Sequence, residues 1–139
     1  MLRENLVSGR KSKLGQCLIE VMIGSMLLIP IALLGVDLSA IVLANSANDS
    51  LVKSAARAAA NQGNRQEAER AAADCVAGFR TSELILNVRM SGDFAYDASH
   101  TVLVKTIMTV KLPVGLKGFE TVKFEAQAVE PVLAAPADV

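Results

Sequence analysis

The chain has 139 residues, with 14 basic and 14 acidic side chains, one histidine and no formal net charge. A neutral chain of one-domain length offers no electrostatic basis for a nucleic-acid partner. Its hydrophobic fraction is 52% but its aromatic fraction only 4%. That is too apolar for an ordinary soluble domain, and the excess sits in one segment rather than in a rich core.

Residues 1–15 form a basic leader: Arg3, Arg10, Lys11 and Lys13 stand against one acid, Glu4. Residues 17–44 then read CLIEVMIGSMLLIPIALLGVDLSAIVLA, in which only Glu20 and Asp37 carry charge. As a helix this run rises roughly 42 Å, ample for a hydrocarbon core of about 30 Å. Pro30 lies near its middle, where a membrane bundle tolerates it as a kink. Asn45, Ser46, Asn48 and Asp49 follow before the next cation, Lys53. The positive-inside rule keeps the N-terminus in the cytoplasm and sends the rest of the chain outside. Cys17 and Cys75 then fall on opposite sides of the bilayer, so no disulfide joins them.

Three readings of the apolar run compete. Val42-Leu43-Ala44 has the residue types of a secretory cleavage site, but the run is longer than the apolar core of a signal peptide and holds an acid near its start. Leu14-Gly15-Gln16-Cys17 resembles a lipoprotein signal, except that Gln16 is not small. A lasting transmembrane helix fits the length and composition best.

Glu20 is the informative residue. An acid near the edge of a spanning helix either stays hydrated and idle or is buried with an assigned partner. Its setting favours the second. A basic leader, Gly15, Gln16-Cys17-Leu18-Ile19-Glu20 and then apolar sequence resemble a prepilin processing site, with cleavage after the glycine and a glutamate fifth in the processed chain. Cutting after Gly15 would create a positive amine on Gln16, and Glu20 lies about one helical turn away, within reach of an amine on its own or a neighbouring helix.

General type IV pilins and type II secretion pseudopilins usually carry an aromatic residue or Met after the cleaved glycine, and Gln16 departs from that. The segment GQCLIEVMIGSMLLIPIALLGVDLS instead resembles the TadE/TadG-like minor pilins of tight-adherence (Flp, type IVc) pili. Gly15, Gln16, Glu20, Pro30, Gly35 and Asp37 match that pattern in kind and order, while Cys17 replaces its usual Ala or Ser. SAARAAANQG, at residues 54–63, is similar to the family's Ala-rich segment, and MTVKLPVGLKGFETVKFEAQAVEP, from Met108, is more loosely similar to its C-terminal part. The resemblance implies a structural subunit of the bacterial inner membrane, processed by a prepilin peptidase. It would pack with other pilin subunits and the inner-membrane assembly platform, in membrane lipid, and serve pilus assembly and adhesion. The chain's size implies a minor subunit, since major Flp pilins are much shorter. A membrane-anchored binding domain that keeps its leader, or a type II secretion pseudopilin, is the alternative.

Beyond the run, residues 46–63 are Ala-rich and continue the helix outward, with Leu51, Ala55, Ala58 and Ala59 at helical spacing. Asn61-Gln62-Gly63-Asn64 interrupts it. Asn64 and Glu67 predict the N-terminus of a second helix over residues 65–79, with Ala68, Ala71, Ala72, Cys75 and Phe79 as its apolar stripe. Cys75 is then a buried, inert thiol.

After Arg80 the period becomes two. Leu84, Leu86, Val88 and Met90 form one inward face; Val102, Val104, Met108 and Val110 a second, with Thr106 and Ile107 blurring it; and Val122, Phe124, Ala126 and Ala128 a third. Pro113, Gly115 and Gly118 make the last turn. Lys105, Lys111, Lys117 and Lys123 form a solvated face. The fold class is therefore α+β: a long N-terminal transmembrane, pilin-like helix, a shorter helix and a small antiparallel sheet of about three strands. The transmembrane helix is assigned to residues 16–44, the extracytoplasmic domain to 45–130, and a flexible Ala/Pro-rich tail to 131–139.

No paired catalytic motif, glycine-rich phosphate loop or metal-ligand spacing is present. The expectation is no enzyme, no cofactor, no metal and no small-molecule substrate. His100 is expected as a surface histidine.

Overall fold

The computed structural model describes residues 2–97, 100–115, 118 and 120–133, with side chains from residue 15 onward. It divides into two compact units, Met1–Val36 and Asp37–Val139. The first helix, α1 (Leu2–Ala60), contributes to both. The second unit adds α2 (Arg65–Ala77), β1 (Ile85–Met90), β2 (Ala95–Tyr96), β3 (Thr101–Lys111) and β4 (Thr121–Pro131). This is the expected α+β class.

The first unit is helix alone, and the helix continues through Pro30. The fixed φ of proline suits a helix; the cost is one missing backbone donor and crowding of the preceding turn.

In the second unit, β3 is the central strand. It pairs antiparallel with β4 along its whole length, from Thr101↔Pro131 to Lys111↔Thr121. On its other edge it pairs with β1 and, further along, with β2. The short β2 is an addition to the three expected strands. Two residues carry no readable period, and Ala95 and Tyr96 join the sheet opposite Leu103 and Val102. Gly115 (φ 36°) and Gly118 (φ 97°) supply the left-handed backbone of the β3–β4 turn, and Leu112 N–H donates to the Glu120 carbonyl to close it. Lys117, in the same turn, lies outside the described residues.

The even-numbered face of the sheet turns inward. Val102, Val104, Thr106, Met108 and Val110 of β3 are all fully buried. Val52, Ala55, Ala56, Ala59 and Ala60 of α1, with Ala68, Ala72 and Val76 of α2, cover this face. Alanine at these positions lets the helix backbones approach the sheet closely. The buried stripe of α1 also extends back through Asn48, Ala44 and Ala40 to Asp37. The helix therefore serves the domain well before residue 45. The α2 N-terminus forms as expected: Glu67 N–H donates to Asn64 Oδ1 at 2.8 Å.

Two expectations are corrected in detail. On α2, Val76 is buried with Ala68 and Ala72, and Cys75 is only half-buried beside it. On β1, a bulge between Ile85 and Asn87 breaks the alternation. Ile85 turns inward, while Leu84 and Leu86 are left on the surface. An extra residue in one strand moves all those on one side of it to the opposite face.

The sheet's far end is tied to the end of α1. Tyr96 Oη donates to the Gln62 carbonyl at 2.8 Å, and Leu133 N–H donates to the Ala60 carbonyl at 2.9 Å. The second satisfies a carbonyl that the helix terminus leaves open, and the first one in the break that follows it. The start of the expected tail is thus held; residues 134–139 lie outside the described residues.

Candidate functional site

Gly15, Gln16 and Glu20 share one face of α1 with Ile19 and Ile23. The spacing is that of a helix, in which residues four apart lie one above the other. Gln16 and Glu20 are both exposed, and one turn separates them. Pro30 lies further along the same helix.

Gly15 has no structural reason to be glycine. A Cβ there meets nothing within 4 Å. Glycine inside a helix costs about 0.5–1 kcal/mol relative to alanine. The same open space surrounds Gly24 and Gly35 on this helix, so packing within the chain does not set Gly15 apart from them.

The helix around this face is apolar on every side. Neighbours that point in different directions are equally bare: Leu28 is 65% exposed and Ile29 60%. Fully exposing side chains of this size to water forfeits about 1.5–3 kcal/mol each. Ser25, a hydroxyl inside this stretch, donates to the Val21 carbonyl at 2.7 Å and so satisfies itself within its own helix. One helix segment, Gly15–Ala60, is long and apolar enough to cross a membrane, which makes it compatible with a membrane anchor. Residues 15–36 alone rise roughly 33 Å, close to the thickness of a hydrocarbon core.

A second polar locus lies wholly within the other unit. Asp37, 9% exposed, accepts a hydrogen bond from Val114 N–H at 2.9 Å. Asn48, fully buried, accepts from the Thr106 hydroxyl at 2.9 Å and donates to the Phe124 carbonyl at 3.4 Å. Among the described residues no buried side-chain polar atom lacks a partner. These groups hold α1 to β3, β4 and the turn between them. In the sequence Asp37 stands out as a charge in the apolar run and a match to the resemblance described above, and Asn48 only as a polar residue after the run. The available signal was their spacing, since both fall on the helix stripe that continues through Ala40, Ala44 and Val52.

Replacing Asp37 by alanine is expected to free the β3–β4 turn. The lost bond joins a carboxylate to a backbone amide, a type worth about 1.5–3 kcal/mol. Hydrogen exchange at the Val114 amide is the direct check: it speeds up in D37A, whereas an unchanged rate would mean that the turn holds itself.

The remaining candidates do not converge. His100 Nδ1 lies 3.0 Å from Asp97 Oδ2 on the surface. Lys105 pairs with Asp93 at 3.0 Å and Arg57 with Glu130 at 3.3 Å. Cys17 is exposed on the apolar helix. No known family model, curated protein or solved structure matches the chain.

Proposed function

We propose that the chain is a minor pilin of the tight-adherence (type IVc) kind, made as a single-pass inner-membrane precursor and cut after Gly15 by a prepilin peptidase. The observation that carries this reading is the helix itself. An exposed apolar surface runs along the helix past Gly15 and Gln16, and Glu20, one turn after Gln16, is the lone carboxylate on it before Asp37. The leader stays in the cytoplasm and the α+β domain lies outside. Removal of the leader creates a positive amine at Gln16. Glu20 then compensates that amine, or the same amine on an adjacent subunit, inside lipid. Pro30 bends the helix as it packs with other pilin subunits on the assembly platform.

The buried stripe of α1 supports a helix that stays attached. Cleavage after Ala44 would remove Asp37, Ala40 and Ala44 from the domain. It would leave the Val114 amide without its carboxylate and uncover the Met108–Val110 end of the core.

Intact-mass analysis of the protein from its native membranes tests the reading. A chain beginning at Gln16 is the expected result. One still beginning at Met1 would leave a membrane-anchored domain without processing, and one beginning after Ala44 would mean ordinary secretion.

A further inference from the structure

We propose that the β3–β4 turn, together with the neighbouring end of β1, forms a shallow membrane-seating surface that rests at the headgroup level of the bilayer. The inference rests on the membrane-anchor reading of α1 and extends it to a part of the domain outside that helix.

Three observations lead to it. First, the bulge in β1 places Leu84 and Leu86 on the surface, although the sequence alternation would bury them. Second, these residues lie at the same end of the sheet as the turn. Lys111 N–H donates to the Leu84 carbonyl at 2.7 Å, and Leu84 lines a surface depression with Leu112 and Pro113. Val114, at the tip, is also exposed. The result is an apolar patch of Leu84, Pro113 and Val114 at the turn end of the sheet, with Leu86 exposed further along β1; Val129 and Leu133 are exposed away from this end, and Leu38, Val42 and Leu43 on α1.

The third observation selects the occupant. The backbone of Val114 is bonded to Asp37. Asp37 is the first residue of the domain, and it directly follows the uncharged stretch from Val21 to Val36. If residues 15–36 fill the hydrocarbon core, Asp37 lies at its edge, because each helical residue advances only about 1.5 Å. The turn bonded to it is then held at the same depth. Exposed apolar side chains at that level gain by partitioning into the interface. Charged Glu83, Lys111 and Glu120 flank the patch, and they limit it to a shallow seat. The surface committed to is a zwitterionic phosphatidylcholine-like interface, since the flanking charges are of both signs.

The chain contains no tryptophan, so single substitutions give background-free reporters. Full-length Val114→Trp, Leu84→Trp, Met26→Trp and Lys123→Trp would each be reconstituted in phosphatidylcholine vesicles. Their secondary structure would be checked by circular dichroism. Quenching by nitroxide lipids of graded depth and by aqueous iodide gives the position of each reporter. The proposal expects Met26→Trp to be quenched deep, and both Val114→Trp and Leu84→Trp to be quenched by headgroup-level nitroxide and shielded from iodide. Lys123→Trp is expected to be open to iodide. If Met26→Trp is lipid-quenched while both tip reporters are as open to iodide as Lys123→Trp, the seating surface is overturned and the anchor stands. If Met26→Trp is itself open to iodide, the anchor reading fails and takes the proposal with it. Two tip positions are used so that a misfolded variant at one leaves the other to decide.

Discussion

If the chain is the minor pilin proposed above, replacing Glu20 by alanine is expected to leave the precursor in the membrane and impair its incorporation into a pilus. Insertion depends on the apolar run, and removing an acid from that run only makes it more apolar. On the proposed reading, assembly depends on matching a buried amine with a buried carboxylate. Losing one partner leaves an uncompensated charge in a low-dielectric setting, a strongly unfavourable state. The expected drop in incorporation is about tenfold or more, the factor that goes with one charge-assisted contact. Glu20→Gln separates the two properties of the side chain. It keeps the size and hydrogen-bonding capacity but not the charge, so charge compensation predicts that it fails as E20A does. Membrane fractionation and a sheared-pilus assay measure the two outcomes separately. Wild-type piliation in E20A would remove the assigned role.

The second large effect is expected at the Asn48–Thr106 pair. Thr106→Val keeps the shape of the side chain and deletes the donor. Asn48 Oδ1 then has no partner in a fully buried site. Leaving such an acceptor unpaired costs about 1–3 kcal/mol. Asn48→Leu is expected to be worse, since it strands the Thr106 hydroxyl and also removes the second bond to the Phe124 carbonyl. The double variant N48L/T106V replaces both partners with apolar groups. It is expected to recover a part of the loss, with a coupling of about 0.5–3 kcal/mol. Denaturant unfolding of the detergent-solubilised chain, followed at β3 by hydrogen exchange, gives all three values. Strict additivity would mean that the pair does not act as a unit.

The larger elements were readable because each has a period that its residues obey. The helix continued through its alanines to the Asn61–Gly63 break, and the even positions of the last two long strands turned inward as expected. Other features were unreadable for identifiable reasons. The β1 alternation pointed to Leu84 and Leu86, and the bulge that reverses them is a property of strand pairing with Val110 and Thr109, not of the β1 residues alone. Thr106 looked like a defect in the β3 pattern. Its buried hydroxyl is explained only by Asn48, 58 positions away in sequence, and Asp37 only by Val114, 77 away. Of the candidate site, the spacing of Gly15, Gln16 and Glu20 was visible directly, because a single helix determines it. That a Cβ at Gly15 would meet open space required the structure.

The alanine face of α1 has a further consequence during synthesis. The helix is made before β3 and β4, so the stripe that will cover them first meets solvent or lipid without its partner. On the proposed topology the same continuous helix must stop entering the bilayer partway along. Leucine or isoleucine on that stripe would pull the helix further into lipid, because partitioning grows with apolar area. The methyl groups of Ala55, Ala56, Ala59 and Ala60 present little area to lipid, yet they allow full burial once the sheet arrives. On that topology the alanine end of the stripe, beyond Leu51 and Val52, is a timed contact: weakly drawn to lipid while it waits, and closely fitted to the sheet when translocation delivers it.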